Sequence, residues 1–263
     1  MTIGSPVGGT QRIGVRRGDV ALVTGGTRGI GAAIARSLAA DGLALLLTYR
    51  DDARSARALE NELTERGTIV CVMRVDVACE ADIVTAFATA SELGNLRGAV
   101  LNAGITGGFA RVADLDAVSL AHVLAVNVTG AFVCAREAVR RMSRQRGGSG
   151  GAIVTIGSRA ARLGAPGDYV HYAASKAAIE TLTIGLAKEV AAEGIRVNCV
   201  APGLVATEIH ARGGRPERLH ALAPLVPLGR IGEPAEIAEA VRWLLSPASS
   251  YVTGAILDVG GGR

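Results

Sequence analysis

Tyr172 and Lys176 stand four residues apart in DYVHYAASKAAIE, a spacing that puts both side chains on one face of a helix. A phenol with a reference pKa of about 10 exchanges protons poorly at neutral pH, and an ammonium beside it favours the phenolate. The pair reads as a proton-transfer device in which Tyr172 is the acid or base and Lys176 tunes it. Lysine suits this place because its ammonium is compact, whereas a guanidinium is larger and rigid. Ser158, just past a β-branched run, offers a hydroxyl that can hydrogen-bond a substrate oxygen as negative charge develops there. The chain has four tyrosines in 263 residues and only two lysines, Lys176 and Lys188, so the pairing is uncommon by chance. Tyr169 has alanine four positions on and reads as a wall or packing residue. His171 is expected off the Tyr172 face, exposed or structural, and Lys188 and Glu189 read as solvated helix charges.

A second constellation lies near the start. TGGTRGIG, Thr24 to Gly31, follows the run VALVT and leads into a helical pattern. Glycines 25, 29 and 31 permit a tight turn and let backbone N–H groups at a helix N-terminus approach a pyrophosphate, which predicts a dinucleotide site. A carboxylate about 20 residues further on would bind the adenosine ribose of NAD, whereas a cation accommodates the 2′-phosphate of NADP. The second strand ends Thr48-Tyr49-Arg50 with no acid, and Arg28 with Arg50 could hold a phosphate, so NADP(H) is favoured over NAD(H). Asp51 and Asp52, which temper that preference, read as caps of the next helix.

Positioning these groups requires an alternating architecture. Strand candidates fall at 20–24, 43–48, 68–74, 98–102, 152–157, 195–200 and 255–259, several continuously apolar, as expected when helices cover both faces. Between them Ile30, Ile34 and Leu38, then Ile83 and Phe87, then Ile237, Val241 and Leu245 recur at helical spacing. Right-handed crossovers then give an α/β fold, a doubly wound parallel sheet of seven strands with helices on both faces. One domain is expected over 18–263, with GGSGG at 147–151 as a connector and a disordered tail over 1–17. Residues 204–230 break the rhythm with GGRP and PLVP and are expected to form a mobile substrate lid.

Composition narrows the function classes. The net charge is +4, yet Arg12, Arg16 and Arg17 lie in a tail without acids, which leaves 25 basic against 24 acidic residues in the body. Arg140, Arg141, Arg144 and Arg146 fall where a helix should end, where cations complement its dipole, so a solvated face is favoured over a nucleic-acid patch. No stretch approaches roughly 18 uninterrupted apolar residues, and no membrane partner is expected. The N-terminus lacks the apolar run of a signal peptide. Cys71, Cys79, Cys134 and Cys199 show no paired spacing and read as reduced core residues of a cytoplasmic protein. His122, His210 and His220 show no metal-ligand spacing, and no metal is expected.

Taken in order, these motifs resemble the short-chain dehydrogenase/reductase family over about residues 19–263. TGGTRGIG is similar to its TGxxxGxG, Asp76-Val77 to its adenine-contacting pair and Asn102-Ala103-Gly104 to its NAG. Asn127 in AVNVTGAF is similar to its catalytic asparagine, and Ser158, Tyr172 and Lys176 to the other active-site positions. Pro202-Gly203 with Thr207 is similar to its nicotinamide-contacting segment, and YVTGAILDVGGG to its last strand. The resemblance implies a Rossmann-type fold and a small-molecule carbonyl or alcohol substrate. Tyr172 would exchange the proton, Lys176 would lower its pKa and bind the nicotinamide ribose, Ser158 would position the substrate, and Asn127 would support a water in the relay.

Cofactor contacts are implied for Gly25, Thr27, Arg28, Gly29, Ile30 and Gly31 in the turn, for Tyr49 and Arg50, and for Asp76 and Val77. They are implied also for Asn102, Ala103, Gly104 and the neighbouring Ile105, for Pro202, Gly203, Val205 and Thr207, and for Tyr172 and Lys176. Asp76 could equally cap its own segment. A homotetramer is implied, through helices at about 116–146 and 168–193 and the last strand. Within the family, sugar dehydrogenase-like and 3-oxoacyl-thioester reductase-like members look similar. Leu101 departs from the family's usual asparagine, and the 14-residue interval from Ser158 to Tyr172 is one longer than its commonest spacing. Two other readings stay open: an NAD-preferring alcohol or sugar dehydrogenase, and a dinucleotide-binding regulator without turnover. Retention of Asn127, Ser158, Tyr172 and Lys176 argues for an enzyme.

Overall fold

The computed structural model describes residues 18–208 and 218–263. The expected tail, 1–17, lies outside the described residues, as do 209–217 of the expected lid together with His210. The strands are β1 (Asp19–Val23), β2 (Ala44–Tyr49), β3 (Val70–Arg74), β4 (Asn95–Leu101), β5 (Gly151–Ile156), β6 (Ile195–Pro202) and β7 (Ile256–Val259). All pair in parallel, in the order β3-β2-β1-β4-β5-β6-β7. Strand order reverses between β1 and β4, and the crevice beyond their carboxyl ends is where open α/β sheets bind ligands.

Both faces of the sheet are covered. Along β1, Val20 and Leu22 join one core with Phe87, Cys134, Met142 and Val190, while Ala21 and Val23 join the other with Ile34, Leu38, Leu63 and Val241. This two-residue alternation with both sets apolar is why β1 reads as a continuous hydrophobic run. The first core is closed by α3 (Glu80–Leu93), α5 (Gly130–Met142) and α7 (Val170–Val190), the second by α1 (Gly29–Ala40), α2 (Ala53–Glu65) and α9 (Pro234–Leu245). Short helices α6 (Ala160–Leu163) and α8 (Arg218–Leu222) follow β5 and β6 in the chain.

The expected single helix over 116–146 is instead α4 (Ala117–Leu124) joined to α5 through one π-helical turn, Ala125–Thr129. Such bulges often mark functional sites, and this one carries Asn127. By length and composition the stretch Ala117–Met142 could cross a membrane, with a mean hydropathy of 1.8 over 18 residues. Here it packs against β4, α3 and α7, and its outer side leaves Val118 80% and Phe132 51% exposed.

Three expectations need correction. Arg140 and Arg141 are not simply solvated: with Arg136 they hold the buried Glu137 carboxylate at 2.5–3.0 Å. Arg141 also lies over the Phe87 ring, 5.7 Å from its centroid. Glu137 is only 2% exposed, and a buried carboxylate needs such partners. Cys79 is exposed and Cys71 only half-buried, so only Cys134 and Cys199 are core thiols. Asp52 does cap α2, accepting from Ser55 N at 3.0 Å, but Asp51 does not. It pairs with Arg50 at 2.7 Å, because the side chains of adjacent exposed residues meet at the strand end.

Candidate active site

A cavity of about 1230 Å³ runs along the carboxyl ends of the strands, from Arg28 and Arg50 at one end to Tyr169 and Tyr172 at the other. Every expected cofactor position lines it, from Gly25 through Asp76 and Asn102 to Thr207, together with Ser158. Asn127 stands behind it and borders a separate cavity of about 10 Å³ shared with Lys176, on the scale of one water.

The glycine turn has a steric basis. A Cβ on Gly31 would come within 2.1 Å of Gly25 O, and Gly25 and Gly29 adopt φ of +60° and +50°, so neither place tolerates an ordinary side chain. Asn102 fixes the turn by donating from Nδ2 to Thr24 O and Gly25 O, both at 2.9 Å. Thr24 Oγ1 accepts from Asn102 N and Ala103 N at 3.0 Å each. Asn102 thereby clamps the β1 turn to the end of β4, a role its type alone does not disclose. Leu101, where the family usually has asparagine, is buried in the first core. The cradle fits a dinucleotide: a turn too crowded for side chains opens onto a long cavity with arginines at its rim. Asp76 behaves as a local cap, since its Oδ1 accepts from Ala78 N at 2.9 Å, while it also borders the cavity.

The catalytic candidates converge as the helical spacing requires. Tyr172 and Lys176 on α7 are buried, at 8% and 5% exposure, although both are polar. Lys176 Nζ donates to Ile156 O at 2.7 Å and stands 5.8 Å from the Tyr172 ring centroid. Burial lowers its pKa to about 8. The expectation that Lys176 brings the phenol down is not met in this cavity. Burial pushes Tyr172 up from its usual value, and the hydrogen bond with the Ser158 hydroxyl offsets only part of this. Desolvation is the largest of the effects on this phenol. Ser158 Oγ in turn accepts from Ala160 N at 3.1 Å.

One positioning group, Ser175, comes to light only in three dimensions. Ser175 Oγ donates to Tyr172 O at 2.7 Å and accepts from Asn127 Nδ2 at 2.9 Å. Asn127 also accepts from Ile105 N at 2.9 Å and donates to Ile105 O at 2.8 Å, tying the π-turn to the loop after β4. The only sequence signal for Ser175 is its place three residues after Tyr172, where serine can bond back to a carbonyl. His171 takes the structural of its two expected placements: it is buried, with Nε2 at 3.0 Å from Thr106 O, because the loop after β4 folds across the start of α7.

A phosphate-type turn and a Ser-Tyr-Lys cluster at opposite ends of one cleft define a dinucleotide-dependent oxidoreductase site. Comparison with known proteins gives the family. The family profile described as "Enoyl-(Acyl carrier protein) reductase" matches residues 25–263. The uncharacterized oxidoreductase YgfF of Escherichia coli is 47% identical over 245 residues, which cover 93% of this chain and 99% of that one. A solved short-chain dehydrogenase/reductase from Serratia marcescens is 38% identical, with a TM-score of 0.86 over 94% of this chain and 98% of that one. A blue fluorescent protein from a metagenomic library, solved in complex with NADPH, is 36% identical, with a TM-score of 0.85 over the same shares, 94% and 98%. The chain belongs to the short-chain dehydrogenase/reductase family of oxidoreductases.

Proposed function

We propose that this protein interconverts a carbonyl and a secondary alcohol with NADP(H), using Tyr172, Ser158, Lys176 and Asn127. The observation that carries the reading is the convergence of the Tyr172 hydroxyl, Ser158 and the buried Lys176 at one end of a cleft whose other end is the glycine turn. Gly25 to Gly31 would hold the pyrophosphate, and the bound cofactor would supply the hydride for the carbonyl carbon. Ser158 orients the carbonyl oxygen. Tyr172, kept protonated by burial, is in the form that donates to that oxygen during reduction. Lys176 carries the positive charge that favours the phenolate left behind. Asn127 holds the loop at Ile105 and borders the small cavity beside Lys176 where a relay water fits.

Arg28 and Arg50 support the preference for NADP(H): their side chains are 44% and 40% exposed at the cavity rim. Asp51, paired with Arg50, supports the NAD reading, since the same carboxylate could serve ribose hydroxyls. The arginines are expected to decide it. Loss of a charge-assisted contact of about 1.5–3 kcal/mol means that Arg28→Ala with Arg50→Ala weakens NADPH binding by roughly 10–100-fold or more. NADH binding, read by the same fluorescence titration, should change less than threefold. Equal losses for both cofactors would remove the arginines from the 2′-phosphate site.

We also propose a homo-oligomer, formed through the apolar outer face that Val118 and Phe132 expose. Light scattering on the eluting protein should give a multiple of the 26.8 kDa chain, shifted toward monomer by Phe132→Glu. A monomeric wild type would contradict this.

A further inference from the structure

The wall beside Tyr172 is unusually aromatic for this chain. The protein has three phenylalanines, four tyrosines and one tryptophan, and three of these eight stack in a row at the site. Phe109 and Tyr169 have ring centroids 5.1 Å apart, and Tyr169 meets Tyr172 edge-on, also at 5.1 Å. With Ala160, Ala165 and Ala173 they form a small core separate from the two that cover the sheet. Tyr169 is only 4% exposed yet lines the cavity, so the little surface it shows faces the substrate end.

The backbone holds this wall rigidly. Ala165 adopts φ +46°, outside the ordinary range for alanine, and its carbonyl accepts from both Asp168 N and Tyr169 N at 3.2 Å. Ala110 N donates to Asp168 O at 2.8 Å and His171 bonds Thr106 O, which zips the loop carrying Phe109 to the loop carrying Tyr169. Leu163 and Pro166 extend the same wall with apolar surface. The polar side chains Ser119 and His122 border the cavity from α4, and Asp168 borders it beside Tyr169.

We propose that Tyr169, backed by Phe109, is a specificity-determining shelf that selects carbonyl substrates bearing an aryl group next to the reacting carbon. The inference rests on the oxidoreductase reading above. A flat ring matches an aromatic wall by offset or edge contact, whereas a hydroxylated chain would lose water against the ring faces and the apolar surface of Leu163 and Pro166. Because the shelf is braced before substrate arrives, the preference appears mainly in KM.

The test compares acetophenone, 2-butanone and 1,3-dihydroxyacetone as substrates of the full chain, with NADPH and NADH each supplied. The wild type should reduce acetophenone with a kcat/KM roughly tenfold or more above the other two. Tyr169→Ala should compress that ratio to within about threefold through KM, and Tyr169→Phe, which keeps the ring, should preserve it. Phe109→Ala, which leaves Tyr169 in place but unsupported, should compress it partway and serves if Tyr169→Ala does not fold. A wild-type ratio near one, a preference for dihydroxyacetone, or a Tyr169→Ala loss equal for all three ketones would overturn the shelf while leaving the reaction class intact. Reduction of none of the three by a wild type that binds either cofactor would overturn the oxidoreductase reading and the shelf together.

Discussion

Tyr172→Phe should lower kcat/KM for carbonyl reduction by roughly 10²–10⁴-fold, the range spanned by loss of a positioned general acid. The change removes one oxygen from a side chain that is 8% exposed and keeps the ring that packs edge-on against Tyr169. Folding should be almost untouched. The deleted hydroxyl hydrogen-bonds with Ser158, and a buried phenol costs desolvation that a phenyl ring does not. Melting temperature and cofactor titration should match the wild type within error, so the loss appears in turnover alone. A mutant with more than a tenth of wild-type activity would remove Tyr172 from the proton-transfer role.

Lys176→Met should produce the second-largest loss, roughly 10–100-fold in kcat/KM, as expected for a charge-assisted interaction worth about 1.5–3 kcal/mol. Stability should respond differently from activity. Burial lowers the Lys176 pKa to about 8, against about 10.4 for a free lysine, so the folded state disfavours the ammonium. Below pH 8 that penalty is fully present; between about pH 8 and 10 the unfolded chain binds more protons, so this residue makes stability rise with pH. Methionine removes the buried charge and should leave the melting temperature at pH 7 unchanged or higher. Activity has the opposite slope: kcat/KM, which reports the free enzyme, should fall as pH rises through about 8. A flat profile from pH 7 to 9.5 would show that the ammonium is not needed. Lys176→Arg should not restore activity, because a larger, rigid guanidinium cannot reproduce the compact ammonium that donates to Ile156 O.

The parts of this site that the sequence discloses are those whose geometry is local. Four residues along one helix bring Tyr172 to Lys176, and three glycines within one turn make the cradle. The seven strands are likewise legible, because burial on both faces writes each as a short apolar run. What the sequence hides depends on contacts between distant segments. Ser175 is silent until Asn127 arrives from the π-turn 48 residues earlier in the chain. Asn102 reads as a motif member, yet its side chain is spent holding the turn of β1. The arginines after position 135 read as solvated because nothing in their spacing shows that Glu137 turns inward. The upward shift of Tyr172 is hidden for the same reason: one-dimensional spacing shows the neighbouring charge but not the depth of burial.

The central claim is that Tyr172 and the cofactor act on one carbonyl, and isotope transfer tests it most directly. Wild-type enzyme given an aryl methyl ketone and NADPH deuterated at the transferring position of the nicotinamide should yield a secondary alcohol with one deuterium on the carbinol carbon. Tyr172→Phe, saturated with the same cofactor, should yield almost none. Alcohol formed without the label, or labelled alcohol formed equally well by Tyr172→Phe, would contradict the account.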